Sequence, residues 1–209
     1  MTDFENAKRY YESGEKNFGL RKYDAAIADF KKAIEIYPEY AEPHLDIGNF
    51  YYYSRKYDEA VKYFTRAIEI KPDCSDAYVN RGGTYMELEK YDEAVADFSK
   101  AIELNPDFMG TYYNRGSVYI KLEKYAEACA DFTKFIEINP DYADAYCERG
   151  NCHYELKNYK DALADYLQAL ETGKAPSFLL YNAIGNCYKA LGENKKADEY
   201  HEKAENILF

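Results

Sequence analysis

The sequence predicts an all-α chain of six stacked helix pairs, and three observations carry that prediction. First, one ladder of residues recurs. Tyr78, Gly82, Tyr85, Tyr91, Ala94, Phe98, Ala101 and Pro106 reappear 34 residues earlier as His44, Gly48, Tyr51, Tyr57, Ala60, Phe64, Ala67 and Pro72. They reappear 34 residues later as Tyr112, Gly116, Tyr119, Tyr125, Ala128, Phe132, Phe135 and Pro140. A fixed period of this size is a repeat architecture. Second, the apolar residues inside each period fall at helical spacing, as in Ala94, Phe98, Ala101 and Ile102. Third, that spacing pauses at short polar turns such as Glu89-Lys90 and Asn105-Pro106-Asp107.

Counting slots from Ala41, the repeats run 7–40, 41–74, 75–108, 109–142, 143–177 and 178–209, a single domain over 1–209 without linkers. Slot 8 is always glycine (Gly14, Gly48, Gly82, Gly116, Gly150, Gly185) and slot 20 always alanine (Ala26, Ala60, Ala94, Ala128, Ala162, Ala197). These small residues let backbones approach, while Tyr and Phe slots fill the space between pairs. Helices of about 13 residues are only about 20 Å long, too short to be stable alone, so stacking must stabilise them. Proline near slot 32 ends the second helix, because it lacks an amide hydrogen and restricts the residue before it. Asp24, Asp58 and Asp92 stand where the second helix begins, suiting a cap and the helix dipole. Repeat 5 lacks that proline and is one residue longer through Glu171-Thr172-Gly173-Lys174-Ala175-Pro176-Ser177, where Gly173 suits a helix C-cap. Repeat 6 places Asn194, Asp198 and His201 in slots that are otherwise aromatic or apolar, as a terminal cap would.

The ladder resembles the tetratricopeptide repeat, with its aromatic, Leu-Gly, Tyr, Ala, Phe and Pro pattern of period 34, over essentially the whole chain. The resemblance implies a right-handed superhelical solenoid of antiparallel helix pairs, with first helices lining a concave groove. It also implies a protein or peptide partner.

Composition narrows the function. The 209 residues are 47% hydrophobic, with 25 Tyr, and carry 27 Lys plus Arg against 38 Asp plus Glu, a net charge of -11. That balance argues against a nucleic-acid surface. The N-terminus lacks a cationic segment followed by an apolar run, and no window approaches the roughly 18 apolar residues of a membrane span. A cytoplasmic protein without membrane insertion is expected. Five cysteines without CxxC spacing indicate neither a disulfide framework nor a zinc ribbon. Cys147, Cys152 and His153 match no zinc ligand spacing, and His44, His153 and His201 all occupy aromatic slots. There is no phosphate loop, nucleophile elbow or spaced metal-ligand set, so neither an enzyme nor a cofactor is expected.

Slots 7 and 23 change together. Arg81 goes with Asp97, Arg115 with Asp131 and Arg149 with Asp165, whereas Ile47 goes with Tyr63 and Ile184 with Tyr200; Ser13 with Asp29 is the exception. An ion pair between the two helices of repeats 3 to 5 is expected, since a partly buried Arg needs a carboxylate.

The candidate binding face lies on the first helices, opposite the core-facing slots. It carries Asp46, Asp76, Glu87, Asp144 and Glu148, the rings Tyr52, Tyr53, Tyr113 and Tyr154, and Met86. Acids with interspersed aromatics favour a ligand bearing Lys or Arg plus apolar side chains. Asn80 and Asn114 at slot 6, with Asn49, Asn151 and Asn186 at slot 9, can donate and accept toward a peptide backbone. They form a partial version of the asparagine ladder in O-linked N-acetylglucosamine transferase superhelices. The clamp by which co-chaperones hold a C-terminal carboxylate is missing its cations, because Leu45, Gly110 and Asn114 stand in their places. A non-enzymatic scaffold binding a peptide segment or partner helix is expected. The alternative is self-association through the terminal repeats, motivated by the apolar end Ile207-Leu208-Phe209.

Overall fold

Twelve α-helices and no strand make up the described residues, 2–207, of the computed structural model. They group into two units that meet in sequence at Pro106 and Asp107. The first holds α1 (Asp3–Gly19), α2 (Tyr23–Ile36), α3 (Ala41–Tyr53), α4 (Tyr57–Ile70), α5 (Ser75–Glu87) and α6 (Tyr91–Leu104). The second holds α7 (Met109–Lys121), α8 (Tyr125–Ile138), α9 (Ala143–Glu155), α10 (Tyr159–Glu171), α11 (Phe178–Ala190) and α12 (Asn194–Glu205). In each unit, successive helices pair antiparallel and the pairs stack as a solenoid.

The turn inside each pair is tight enough that one residue serves two helices. The Arg21 amide donates to the Phe18 carbonyl (2.9 Å) and the Lys22 amide to Asn17 (2.9 Å), while the Lys22 carbonyl accepts from Ala26 (3.0 Å). Lys22 therefore closes a Schellman motif on α1 and opens α2. The same pattern recurs at Lys56, Lys90, Lys124 and Asn158. It corrects the capping expectation. The N-cap residues are Lys22, Lys56 and Lys90, none with a side-chain cap bond, and Asp24, Asp58 and Asp92 sit in the first turn, where their charge still suits the helix dipole. The left-handed residue of these turns is not glycine but Arg21, Arg55, Glu89, Glu123 or Lys157, with φ between 57° and 62°. Only the α11 turn places glycine there, Gly192.

Helix ends between repeats follow the proline rule, with α2, α4, α6 and α8 stopping two residues before Pro38, Pro72, Pro106 and Pro140. The longer repeat 5 instead stops α10 with Gly173 in the left-handed region (φ 95°), where the Lys174 amide donates to the Ala169 carbonyl (2.9 Å). Thr2 and Glu5 form a capping box on α1.

The core is a row of rings lying on glycines. A Cβ on Gly14 would come 2.5 Å from the Phe30 ring, and one on Gly48 2.6 Å from Phe64. In the second unit the close neighbours are Phe132 for Gly116, Tyr166 for Gly150 and His201 for Gly185. Phe30, Phe64, Phe98 and Phe132 are fully buried.

The expected struts are present. Arg81 grips Asp97 through Nε (2.7 Å) and Nη2 (2.8 Å), and its Nη1 donates to Thr65 (3.0 Å) on the preceding pair. Arg115 holds Asp131 (2.8 and 2.7 Å) and Arg149 holds Asp165 (2.9 and 2.7 Å) in the same two-pronged way. In repeat 1, Ser13 and Asn17 both donate to Asp29 (2.8 Å each). Ile47 and Ile184 are instead buried among apolar neighbours that include Tyr63 and Tyr200. The last helix, α12, buries only Ala197 and Ala204. Of the apolar end, Ile207 is exposed; Leu208 and Phe209 lie outside the described residues.

Candidate functional site

In the first unit the face is formed by α1, α3 and α5. The Tyr11 hydroxyl on α1 lies toward the Asp46 carboxylate on α3. Burial pushes the Asp46 carboxyl above its ordinary value, the Tyr11 hydroxyl opposes this, and Glu15 and Glu42 add to it. Burial and then the Asp46 charge push the Tyr11 hydroxyl well up. The acids thus crowd one another here. One turn on, Asn80 donates from Nδ2 to Asn49 Oδ1 (2.9 Å), so these two amides tie α5 to α3.

Toward the C-terminal end of α3, Tyr52 stands edge-on to Tyr53 (5.5 Å between centroids) and tilted against Tyr57 (5.8 Å). Burial raises the Tyr52 hydroxyl, with Glu87 contributing. The Tyr57 hydroxyl donates to Glu87 (3.1 Å). Met86 is half-buried and Asp76 exposed. A cavity of about 320 Å³ opens between α1 and α3, lined by Glu15, Phe18, Phe30, Asp46, Asn49 and Tyr53.

In the second unit Tyr113, Asp144, Asn151, Tyr154 and Asn186 are engaged within the chain. Tyr113 is a wall of the core, its ring 5.4 Å from Phe132, 5.2 Å from Phe135 and 5.8 Å from Tyr142. Burial, with Glu148 next, pushes its hydroxyl up to about 12. Lys174, from the longer loop of repeat 5, forms an ion pair with Asp144. Asn151 Oδ1 accepts from the Tyr166 hydroxyl (2.8 Å), and Asn186 Oδ1 lies 3.2 Å from His201 Nε2. Tyr154 stands edge-on to Tyr159 (5.3 Å). Asn114 and Glu148 are half-buried.

Two of the five asparagines therefore satisfy ring tips. Slot 24 is Phe in repeats 1 to 4 but Tyr166 and His201 in repeats 5 and 6, and a buried polar tip needs a partner. That change of residue type was the available sequence signal. Asn49 belongs to a repeat whose slot 24 is Phe64, which has no polar tip, and bonds Asn80 instead. The Lys174–Asp144 pair, 30 residues apart, has no counterpart at the shorter loops and leaves no periodic trace. Glu15 and Phe18, at face slots 9 and 12 of repeat 1, line the cavity.

Charge separates the two units further. On the first-helix face, the first unit carries Glu12, Glu15, Glu42, Asp46, Asp76 and Glu87 against Lys8, which lies 3.9 Å from Glu12. The second carries Asp144, Glu148 and Glu155 against Lys121 and Lys189, with Lys174 on Asp144.

Family profiles described as tetratricopeptide repeat match residues 18–80, 75–108, 113–177 and 179–207. No match is found among curated proteins. Among solved structures, YrrB, described as a tetratricopeptide-repeat protein with an unusual peptide-binding site, is 27% identical, with a TM-score of 0.78 over 85% of this chain and 91% of that one. MamA is 24% identical (TM-score 0.76; 80% and 92% covered). PilF of Pseudomonas aeruginosa is 20% identical (TM-score 0.73; 98% and 93%). The last two show likeness of fold. Among the described residues, no helix is long and apolar enough to cross a membrane.

Proposed function

This chain belongs to the tetratricopeptide repeat family, and we propose that it is a non-enzymatic interaction scaffold whose first-helix face binds a peptide segment or partner helix carrying basic and apolar side chains. The observation that carries this reading is the face of the first unit, where six acids meet a single lysine among exposed and half-buried rings. Acids of this density attract cations and steer their approach, and the rings supply contact area at little conformational cost. Asn49 and Asn80, already bonded to each other, retain amide capacity for a peptide backbone. The peptide-binding site named for YrrB supports the ligand class.

Selection of a random peptide library on the full chain tests the proposal, with an Asn49→Ala/Asn80→Ala variant as control. Enrichment of basic, apolar peptides whose binding weakens with salt and with the control variant is expected. Recovery of acidic peptides, or of binding indifferent to both, would overturn it.

A further inference from the structure

The cavity between α1 and α3 has walls of two kinds. Glu15 and Asp46 supply negative charge; Phe18 and Tyr53 supply apolar surface, 39% and 79% exposed. Those rings are not loose. Phe18 stands edge-on to Tyr23 (5.3 Å) and Tyr53 edge-on to Tyr52 (5.5 Å), so each is braced by a second ring while its own surface stays open. A void of about 320 Å³ is near the lower end of ligand sites, which run roughly 300–1,000 Å³, and that size suits one long side chain. The chain itself supplies an example of the pairing: Lys174 sets a cationic side chain on a first-helix acid of the second unit, Asp144.

We infer that this cavity is a specificity pocket for one arginine side chain of a bound peptide, its guanidinium between the Glu15 and Asp46 carboxylates and against the Phe18 and Tyr53 rings. The inference deepens the peptide-binding reading and rests on it. Arginine suits the pocket better than lysine, because a planar guanidinium stacks on rings and presents a fork of donors to carboxylates at once, whereas an ammonium is a compact, strongly hydrated point charge. The crowding of Glu15, Glu42 and Asp46 is relieved when such a cation enters, which favours binding over an empty pocket.

The test uses the 15N-labelled full chain titrated with the probe peptide acetyl-Leu-Ala-Arg-Ala-Leu-amide and with its neutral citrulline isostere, followed by NMR. The arginine peptide is expected to shift the amides of Glu15, Gly19, Asp46 and Asn49. It is expected to bind about tenfold tighter than the citrulline form, the worth of one charge-assisted hydrogen bond. Asp46→Asn should erase that difference, and the exposed Tyr53→Ala should weaken the arginine peptide more than the citrulline one; both variants are checked for unchanged helicity. Equal affinities, shifts confined to other surfaces, or no shift at all would overturn the pocket. Library selection does not presuppose arginine, so the broader peptide reading stands or falls separately.

Discussion

The two units share one ladder of glycines and rings but spend their polar residues differently. In the second, Asp144 holds Lys174, Asn151 holds Tyr166, Asn186 faces His201, and two Arg–Asp struts cross its pairs. In the first, Asn49 accepts from Asn80 and Glu87 from Tyr57, but one such strut, Arg81–Asp97, stands beside a face where six acids meet one lysine and Tyr53 lies open. Polar groups satisfied inside the chain stabilise it; those left open are available to a partner.

The largest effect expected on this contrast comes from removing a strut. Asp165→Ala leaves the Arg149 guanidinium without its carboxylate in a mostly buried setting, at a cost of about 3 kcal/mol. Asp29→Ala in the first unit removes hydrogen bonds from Ser13 and Asn17 in a more exposed setting and should cost about 1 kcal/mol. Native-state hydrogen exchange, read separately over α1–α2 and α9–α10, checks both. Equal losses would erase the distinction.

Next comes the core both units share. Gly48→Ala sets a methyl 2.6 Å from the buried Phe64 ring and should destabilise the first unit by about 1–3 kcal/mol, whereas Gly19→Ala, with nothing within 4 Å, should be close to neutral. Urea unfolding of each variant measures the difference.

His44 marks the first unit by pH. Burial, aided by Arg66, lowers its pKa, against smaller opposing pulls from the Pro38 backbone and Glu39. The folded state therefore resists a proton that the unfolded chain accepts near pH 6.5. Stability from this group is complete above that value and is lost as pH falls below it, toward the folded pKa. His44→Tyr, the residue most repeats place in this slot, should remove that part of the acid sensitivity; thermal melts across the interval would show no change if the ring is not the cause.

The smallest effect serves as a control on both units alike. Glu89→Gly and Glu123→Gly relieve a left-handed residue and should each stabilise by about 0.5 kcal/mol, part of the αL cost being offset by glycine's freedom in the unfolded chain. Calorimetric melting temperatures that fall instead would show that these side chains do more than turn the chain.

Much of this was legible in the sequence, for physical reasons visible in particular residues. Slot 7 and slot 23 changed together because a half-buried guanidinium tolerates no apolar neighbour in place of Asp97, Asp131 or Asp165. Pro38 and Gly173 announced helix ends because each restricts or permits backbone angles directly. The capping of α2, α4 and α6 was not legible. The turn before each is closed by Arg21, Arg55 or Glu89 in a conformation that usually calls for glycine, which moves the helix start ahead of the aspartate. Nor was the split between the two faces: Asn49 and Asn151 occupy the same slot, yet Asn151 accepts from the Tyr166 hydroxyl while Asn49, in a repeat with Phe64 at slot 24, accepts from Asn80.

The central claim is that a cationic ligand is read by the first unit. Its most direct test compares peptide affinity and salt dependence for Glu15→Gln/Asp46→Asn with those for Asp144→Asn/Glu148→Gln. The account expects the first pair to lose about tenfold in affinity, as for a charge-assisted contact, and to flatten the salt dependence, while the second stays near the parent chain. Loss confined to the second pair, or no loss in either, would contradict it.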